Sequence, residues 1–395
     1  MEKPAVLPIP TNPSPPPTPT AADMPHNDTN HKEVTTQREV TILGPGIGEC
    51  IVIHLGKGKW FIVDSFIDKQ SKMPAAIEYL KSKNIPLENV TGIIATHWHC
   101  DHIKGLDEII ENCPNATFFF SAALCTLEAE IYFKVMKEEA SLGSRSFSET
   151  MNRILLSMET KDRSVRAIKV KEHTLLFQDR ETQTQLIALS PSEEAVDDAI
   201  SKMAIPKPNE RRKKLGISGT PNLNAVVLYL QFGAECAVIL GSDLEVTENS
   251  ATGWNGILTS RITEQLGLAP ASLFKVPHHG SANGFHPGIW SDLLKEKPIA
   301  MATCYSASKL PKEEEINRIL SLSEEFYLTS SPKFHSPKKH RGMIDKQINA
   351  HTKNRRAVRG KHGRVTAQID ESGTIKIDYK EPAFKVTHPI KTLPV

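Results

Sequence analysis

From Glu39 onward the chain reads as short apolar runs cut by turn residues. "EVTILG", "CIVIHLG" and "KWFIVDSF" have strand length and composition, and "GPGIG" and "GKGK" between them supply turns. "MPAAIEYLKSKN" changes period: Ala76, Ile77 and Leu80 fall on one helical face. A buried strand, "VTGIIAT", and a helix, "GLDEIIENC", come next. The pattern then predicts a strand at "ATFFFSA", helical stretches over 122–139 and 145–158, strands at "VRAIKV" and "TQLIALS", and a helix at "SEEAVDDAISKM". A strand pair, "NAVVLYLQFGAECAVILGSD", turns at Gly233-Ala234. After it come a helix near 256–266, strands at "ASLFKV" and "IAMAT", and a helix at "KEEEINRILSL". The hairpin "RVTAQIDESGTIKIDYK", turning at Ser372-Gly373, closes the series. Strands and helices mix without a regular βα repeat, which predicts an α/β sandwich; no internal repeat is present.

Composition changes this picture at the ends. Residues 1–36 are dominated by Pro, Thr, Asn and Ser and cannot bury enough apolar surface to offset their ordering entropy, so they read as a disordered arm. That arm has neither the apolar core of a signal peptide nor an Arg-rich amphipathic helix. No apolar run approaches the ~20 residues a membrane span needs. The six cysteines show no CxxC pair and read as reduced thiols of a cytoplasmic protein. A net charge of +2 identifies no partner, but its distribution is uneven. "KPNERRKKLG" gathers Lys207, Arg211, Arg212, Lys213 and Lys214. The stretch 333–364 sets eleven Lys and Arg residues, among them Arg355, Arg356 and Arg359, against Asp345 alone. Such density is an electrostatic footprint for phosphates, although no aromatic residues interleave for base stacking and a solvated basic tail would look the same.

One stretch, "GIIATHWHCDHIKGLDEI", no packing argument explains. An extended backbone puts residues i and i+2 on one face, so His97 and His99 can hold one ion together. Asp101 and His102, where the chain turns into the next helix, can face back across the same pocket and hold a second. Imidazole and carboxylate suit zinc, manganese or iron better than magnesium or calcium. Isolated histidines in a surface loop are common; HxHxDH directly after a buried strand is not.

This HxHxDH run resembles that of the metallo-β-lactamase-fold hydrolases, and further landmarks follow in order over residues 38–330. The resemblance implies an αββα sandwich with its site at the mouth between the sheets, and two divalent ions, zinc or manganese. It makes Asp64 in "WFIVDSF" an orienting carboxylate and Asp243 in "VILGSDLE" the carboxylate bridging both metals. In "FKVPHHGSANGFHP" it offers His278 as the last ligand, with His279 as the alternative. "KVPHHGS", with "NAVVLYL" ahead of "LGSD", looks like the competence-type branch, which includes the hydrolase domain of bacterial DNA-uptake channels. With no channel here, the relative would be a soluble one. Soluble members of that branch occur beside ATPases and proteases in bacterial antiviral systems, which makes such partners an analogy. The expected organisation is an arm over 1–36, the hydrolase domain over 37–330, and a basic segment with a C-terminal hairpin over 331–395 packing on the same domain.

One departure stands out: "LIALSPS" puts Ser190 where most two-metal members carry a third histidine, and His173 falls too early, in a turn. The first metal would keep His97, His99 and Asp243, and the second Asp101, His102, Asp243 and His278. Cys100 points away from His99 and carries no metal duty. Asp101 or Asp243 would take the proton of the attacking water, and His279 would protonate the leaving group if His278 is the ligand. Asn224 would position a substrate oxygen, or cap a turn. The basic runs favour a phosphodiesterase or nuclease acting on nucleic acid or a nucleotide. The alternatives are a hydrolase of small lactams, lactones or thioesters, and a metal-containing regulatory subunit acting by binding partners.

Overall fold

The computed structural model describes residues 37–123, 154, 166–203, 221–234, 236–332 and 362–389. The expected helices over 122–139 and 145–158 lie almost wholly outside these residues, as do the arm and both basic runs up to His362.

The amino-terminal part supplies β1 (Arg38–Gly44), β2 (Cys50–His54), β3 (Trp60–Val63), β4 (Val90–Ala95), β5 (Thr117–Ser121) and β6 (Ala167–Val170). A second series follows: β7 (Leu175–Asp179), β8 (Thr184–Ala188), β9 (Leu228–Phe232), β10 (Cys236–Leu240), β11 (Ala271–Lys275), β12 (Leu294–Ala302) and β13 (Glu325–Leu328). The closing hairpin, β14 (Gly363–Ile369) and β15 (Ile375–Lys380), returns to the first sheet beside β1. The short β16 (Phe384–Lys385) pairs with β13. The two sheets run β15-β14-β1-β2-β3-β4-β5-β6 and β16-β13-β12-β11-β10-β9-β8-β7.

Period-two alternation sorts the side chains into layers. Val40, Ile42, Ile51 and Ile53 from the first sheet meet Leu228, Leu230, Val238 and Leu240 from the second in one core between the sheets. The opposite faces are apolar too, so each must be covered. Leu43, Val52 and Ile62 pack under α1 (Ala75–Ser82), near α2 (Cys100–Ile103), and under α3 (Leu106–Asn112). On the second sheet, Ala237, Ile239 and Phe274 receive Trp254 and Ile257 of a later helix and Ile316 and Ile319 of the "KEEEINRILSL" helix. Helix–sheet–sheet–helix is the result, as the sequence resemblance implies. The remaining helices are α4 (Glu193–Met203), α5 (Gly253–Thr259), α6 (Arg261–Gln265) and α7 (Glu313–Leu322). Among the described residues no helix is long and apolar enough to cross a membrane.

Three strands escape the pattern reading. β7, "LLFQD", is half exposed at a sheet edge and lacks alternation. β13 and β16 are too short to show a period. What positions the site is strand direction. β3, β4 and β5 run parallel, as do β10, β11, β12 and β13, so the residues following each strand collect at one edge of its sheet. Crevices outside the carboxyl ends of parallel strands are where open α/β sheets place their ligands.

Candidate metal centre

Asp64 follows β3 and is 1 % exposed, with φ of 58°, a left-handed conformation uncommon outside glycine. Held there, its carboxylate serves the next strand. Oδ1 accepts the Thr96 amide at 2.8 Å; Oδ2 accepts the Thr96 hydroxyl at 2.7 Å and faces His102 Nδ1 at 2.7 Å. A carboxylate can only accept, so in its neutral form His102 carries its one proton on Nδ1 and turns a bare Nε2 inward. The Thr96 hydroxyl has already given its proton to Asp64, so it must accept from His97 Nδ1, 3.0 Å away, which leaves His97 Nε2 bare as well. His99 Nδ1 lies 3.1 Å from that nitrogen.

Asp243 enters from the end of β10. Its Oδ2 lies 3.2 Å from His102 Nε2, 3.4 Å from His279 Nε2 and 4.0 Å from His97 Nε2. Asp101 Oδ2 closes the group, 3.6 Å from His279 Nε2 and 3.8 Å from His102 Nε2. The "GPGIG" turn holds Asp101 from behind. Gly48, at φ 98°, brings the chain so close that a Cβ would stand 2.7 Å from Phe66, and the Glu49 amide donates to the Asp101 carbonyl at 3.0 Å.

Of the paired histidines it is His279, the alternative to the expected His278, that the structure brings into the cluster. Both sit at positive φ, 47° and 52°, and this double kink turns His279 inward, where it is 1 % exposed. His278 is turned to the rim. Its Nδ1 lies 3.0 Å from Asn283 Oδ1 and 3.2 Å from Glu245 Oε1, and its Nε2 lies 3.3 Å from Asn222 Nδ2. Strand alternation carries no information about such a kink, so the sequence left the pair open. His279, buried in the cluster, is accordingly not placed as the leaving-group acid.

Asn222 was missed by the sequence reading. The side chain that reaches the rim is its amide, which also donates to Glu245 at 2.7 Å, whereas Asn224 contributes its carbonyl to the Ser121 hydroxyl. Ser190 is buried and fully used. Its hydroxyl donates to the Ala225 carbonyl at 2.7 Å and accepts the Val227 amide at 2.8 Å. His173 sits in a turn beside Thr263 and Ser260. Neither the Ser190 position nor His173 therefore brings a further imidazole to His97 and His99. Cys100 faces outward, and desolvation together with Asp101 raises its thiol pKa, which keeps it neutral. Lys207, Arg211, Arg212, Lys213, Lys214, Arg355, Arg356 and Arg359 lie outside the described residues. Arg364, last of the second basic run, is part of β14 and pairs with Asp378 at 2.8 Å.

Electrostatics mark the cluster as a cation site. Burial works against a charged His279, but Asp243 and Asp101 outweigh it and raise its pKa to about 9. His102 is likewise raised against burial, by Asp243, Asp64 and Asp101. Asp243 is held well below the usual carboxylate range despite burial, by His279 and His102. His97 shifts the other way, through burial and the neighbouring charge of His102.

Do these residues fit a metal? The Nε2 atoms of His102 and His279 and Oδ1 of Asp243 are buried without a hydrogen-bond partner, a costly arrangement for polar atoms. One ligand atom from each of Asp101, His102, Asp243 and His279 lies within 4.8 Å of all the others. Two imidazoles and two carboxylates converging on one point are a donor set for zinc or a similar divalent ion. They fit.

Residues 43–168 match the family model of the metallo-beta-lactamase superfamily. Among curated proteins none matches this chain. Solved structures similar to it include the hydrolase AbOPH of the beta-lactamase superfamily, at 16% identity over 53% of this chain and 71% of that one, with a TM-score of 0.32. The metallo-beta-lactamase fold protein YhfI from Bacillus subtilis is 11% identical over 60% and 71%, with a TM-score of 0.31. Zinc-bound PqqB from Methylobacterium extorquens is 12% identical over 58% and 56%, with a TM-score of 0.29.

Proposed function

We propose that this chain, whose residues 43–168 match the metallo-beta-lactamase superfamily, is a metal-dependent hydrolase cleaving phosphodiesters in nucleic acid or a nucleotide. The observation that carries the hydrolase is the convergence of Asp101, His102, Asp243 and His279, with the Nε2 atoms of both histidines buried and without a hydrogen-bond partner. Those four would hold one ion, and His97, His99 and Asp243 a second, weaker one. A divalent ion held there would supply a nucleophile from water near neutral pH and offset charge developing on the substrate oxygen.

Around them the chain's own groups divide the work. Asp101, the more accessible carboxylate of the cluster, would take a proton from water. His278, steadied by Glu245 and Asn283, stands at the rim with its ring 6.3 Å from that of His279, and we assign it the proton delivered to the leaving group.

The phosphodiester rests on the two basic runs. The run 204–220 rejoins the described chain at Pro221, next to the Asn222 that touches His278. The run 333–361 returns at His362. The following Gly363 lies so close to the Thr329 carbonyl that a Cβ there would be 1.7 Å from it. Thr329 follows β13 beside Thr303, whose hydroxyl binds His279. In both cases the described chain resumes near the cluster, and it is the density of positive charge in the two runs that favours a phosphate-bearing substrate.

The test is purified protein with zinc or manganese on single- and double-stranded DNA, RNA, cyclic dinucleotides and a chromogenic lactam. Turnover of a phosphodiester and none of the lactam is expected; the reverse would replace this reading with a small-molecule hydrolase. Neutralising Arg355, Arg356 and Arg359 should lower the slope of log K against log salt by roughly 2–3 units.

A further inference from the structure

Lys275 closes β11 with its side chain 0 % exposed, and a buried ammonium with nothing to face would cost several kcal/mol. It is not alone. Nζ donates to the Ser242 carbonyl at 2.7 Å, lies 2.7 Å from Glu49 Oε1, and stands 3.8 Å from Asp243 Oδ1. Glu49, itself 1 % exposed, accepts the Thr303 hydroxyl through its other oxygen. The same hydroxyl lies 2.8 Å from His279 Nδ1.

Two consequences follow from proton counting. A threonine hydroxyl has one proton, and here it goes to Glu49, so Thr303 accepts from His279 Nδ1–H, and in the neutral imidazole that leaves Nε2 bare toward Asp101 and Asp243. Asp243 meets all three histidines through Oδ2, while its Oδ1 is on the lysine side. The ammonium therefore faces one carboxylate oxygen and the cation site faces the other.

We propose that Lys275, Glu49 and Thr303 are positioning residues of the metal centre. The lysine orients Asp243 so that one oxygen serves the metal, and Glu49, through Thr303, fixes the tautomer and rotation of His279. The inference rests on the metal-site reading above and is independent of the substrate. It also accounts for a lysine and a glutamate in a position where apolar residues would pack with less desolvation.

The experiment reads zinc directly in the full-length protein, by competition with a chromogenic chelator, and ligand geometry through the visible spectrum of the cobalt-substituted form. Thr303→Val is nearly isosteric and should weaken zinc roughly 10–100-fold, as loss of an outer-shell partner does. It should also shift the cobalt bands, whereas Thr303→Ser should restore both. The pair Glu49→Gln with Lys275→Met removes both charges together and should weaken zinc to a similar degree. If that pair fails to fold, the threonine variants decide alone. Wild-type zinc affinity and an unchanged cobalt spectrum in Thr303→Val would overturn the proposal and leave the pair a structural ion pair. Absence of zinc uptake by the unaltered protein would overturn it together with the metal-site reading. Zinc bound and weakened as expected, with no phosphodiester cleaved, would overturn only the proposed substrate.

Discussion

The metal centre is gripped by two hands of unlike construction. On the first sheet, Asp64 holds Thr96 and His102 directly and His97 through the Thr96 hydroxyl. On the second, Glu49 reaches across from the first sheet's β1–β2 turn to hold His279 through the Thr303 hydroxyl. Each hand is a buried carboxylate, a threonine and a histidine. The second alone carries a lysine. Asp64 is surrounded by donors from one short run of chain, so its charge is met by two hydrogen bonds from Thr96 and by His102. Glu49 has no such run beside it, and Lys275 supplies the compensation. The comparison teaches that one orienting device can be made from neighbours in sequence or assembled from distant strands, and that the assembled version needs an added countercharge.

Asp243, shared by both hands, should give the largest effect. Asp243→Ala is expected to bring metal content close to zero by mass spectrometry and turnover to background, because it removes the one oxygen facing three histidines. Retention of a full metal ion would break the picture of a shared carboxylate.

Next come the adjacent histidines. His279→Gln should lose most bound zinc. His278→Gln should keep it and slow only turnover, more for phosphodiesters with poor leaving groups than for activated ones. Equal zinc loss in both would return His278 to the ligand set.

Asp64→Asn tests the first hand. A loss of about 10–100-fold in zinc affinity is expected, matching Thr303→Val on the second. A much smaller loss would mean the hands are unequal in function as well as in construction.

Acidity gives a subtler contrast. In metal-free protein His279 is raised from its ordinary 6.5 to about 9, and His102 is raised too. A raised histidine stabilises the fold fully below its unfolded value, and that contribution is lost as pH rises through the folded value. Chelator-treated protein should therefore melt several degrees lower at pH 9 than at pH 6.5. Zinc-loaded protein, whose histidines are deprotonated by the metal, should not show that fall.

Smallest is Ser190→Ala. It should lower stability by about 1–3 kcal/mol, because the buried Ala225 carbonyl and Val227 amide lose their shared partner. Zinc content should not change.

The sequence by itself pointed to one half of the cluster: His97, His99, Asp101 and His102 lie within six residues just after an apolar strand, where the chain turns into a helix. It also indicated an α/β sandwich, from strands and helices mixed without a regular βα repeat, while the four layers came from the family resemblance; the continuous apolar runs of β1, β2, β9 and β10 are buried on both faces. Only the tertiary structure decided between His278 and His279, since two successive left-handed residues break the alternation by which a sequence is read. Nor could spacing show that Glu49, Asp243, Lys275, His279 and Thr303 share one buried network. They belong to different strand ends, and only the common direction of β10, β11 and β12 brings the last four to one edge, where Glu49 arrives from the other sheet. A buried charge looks like any other charge in a sequence, because its partners are chosen by the packing of strands and not by distance along the chain.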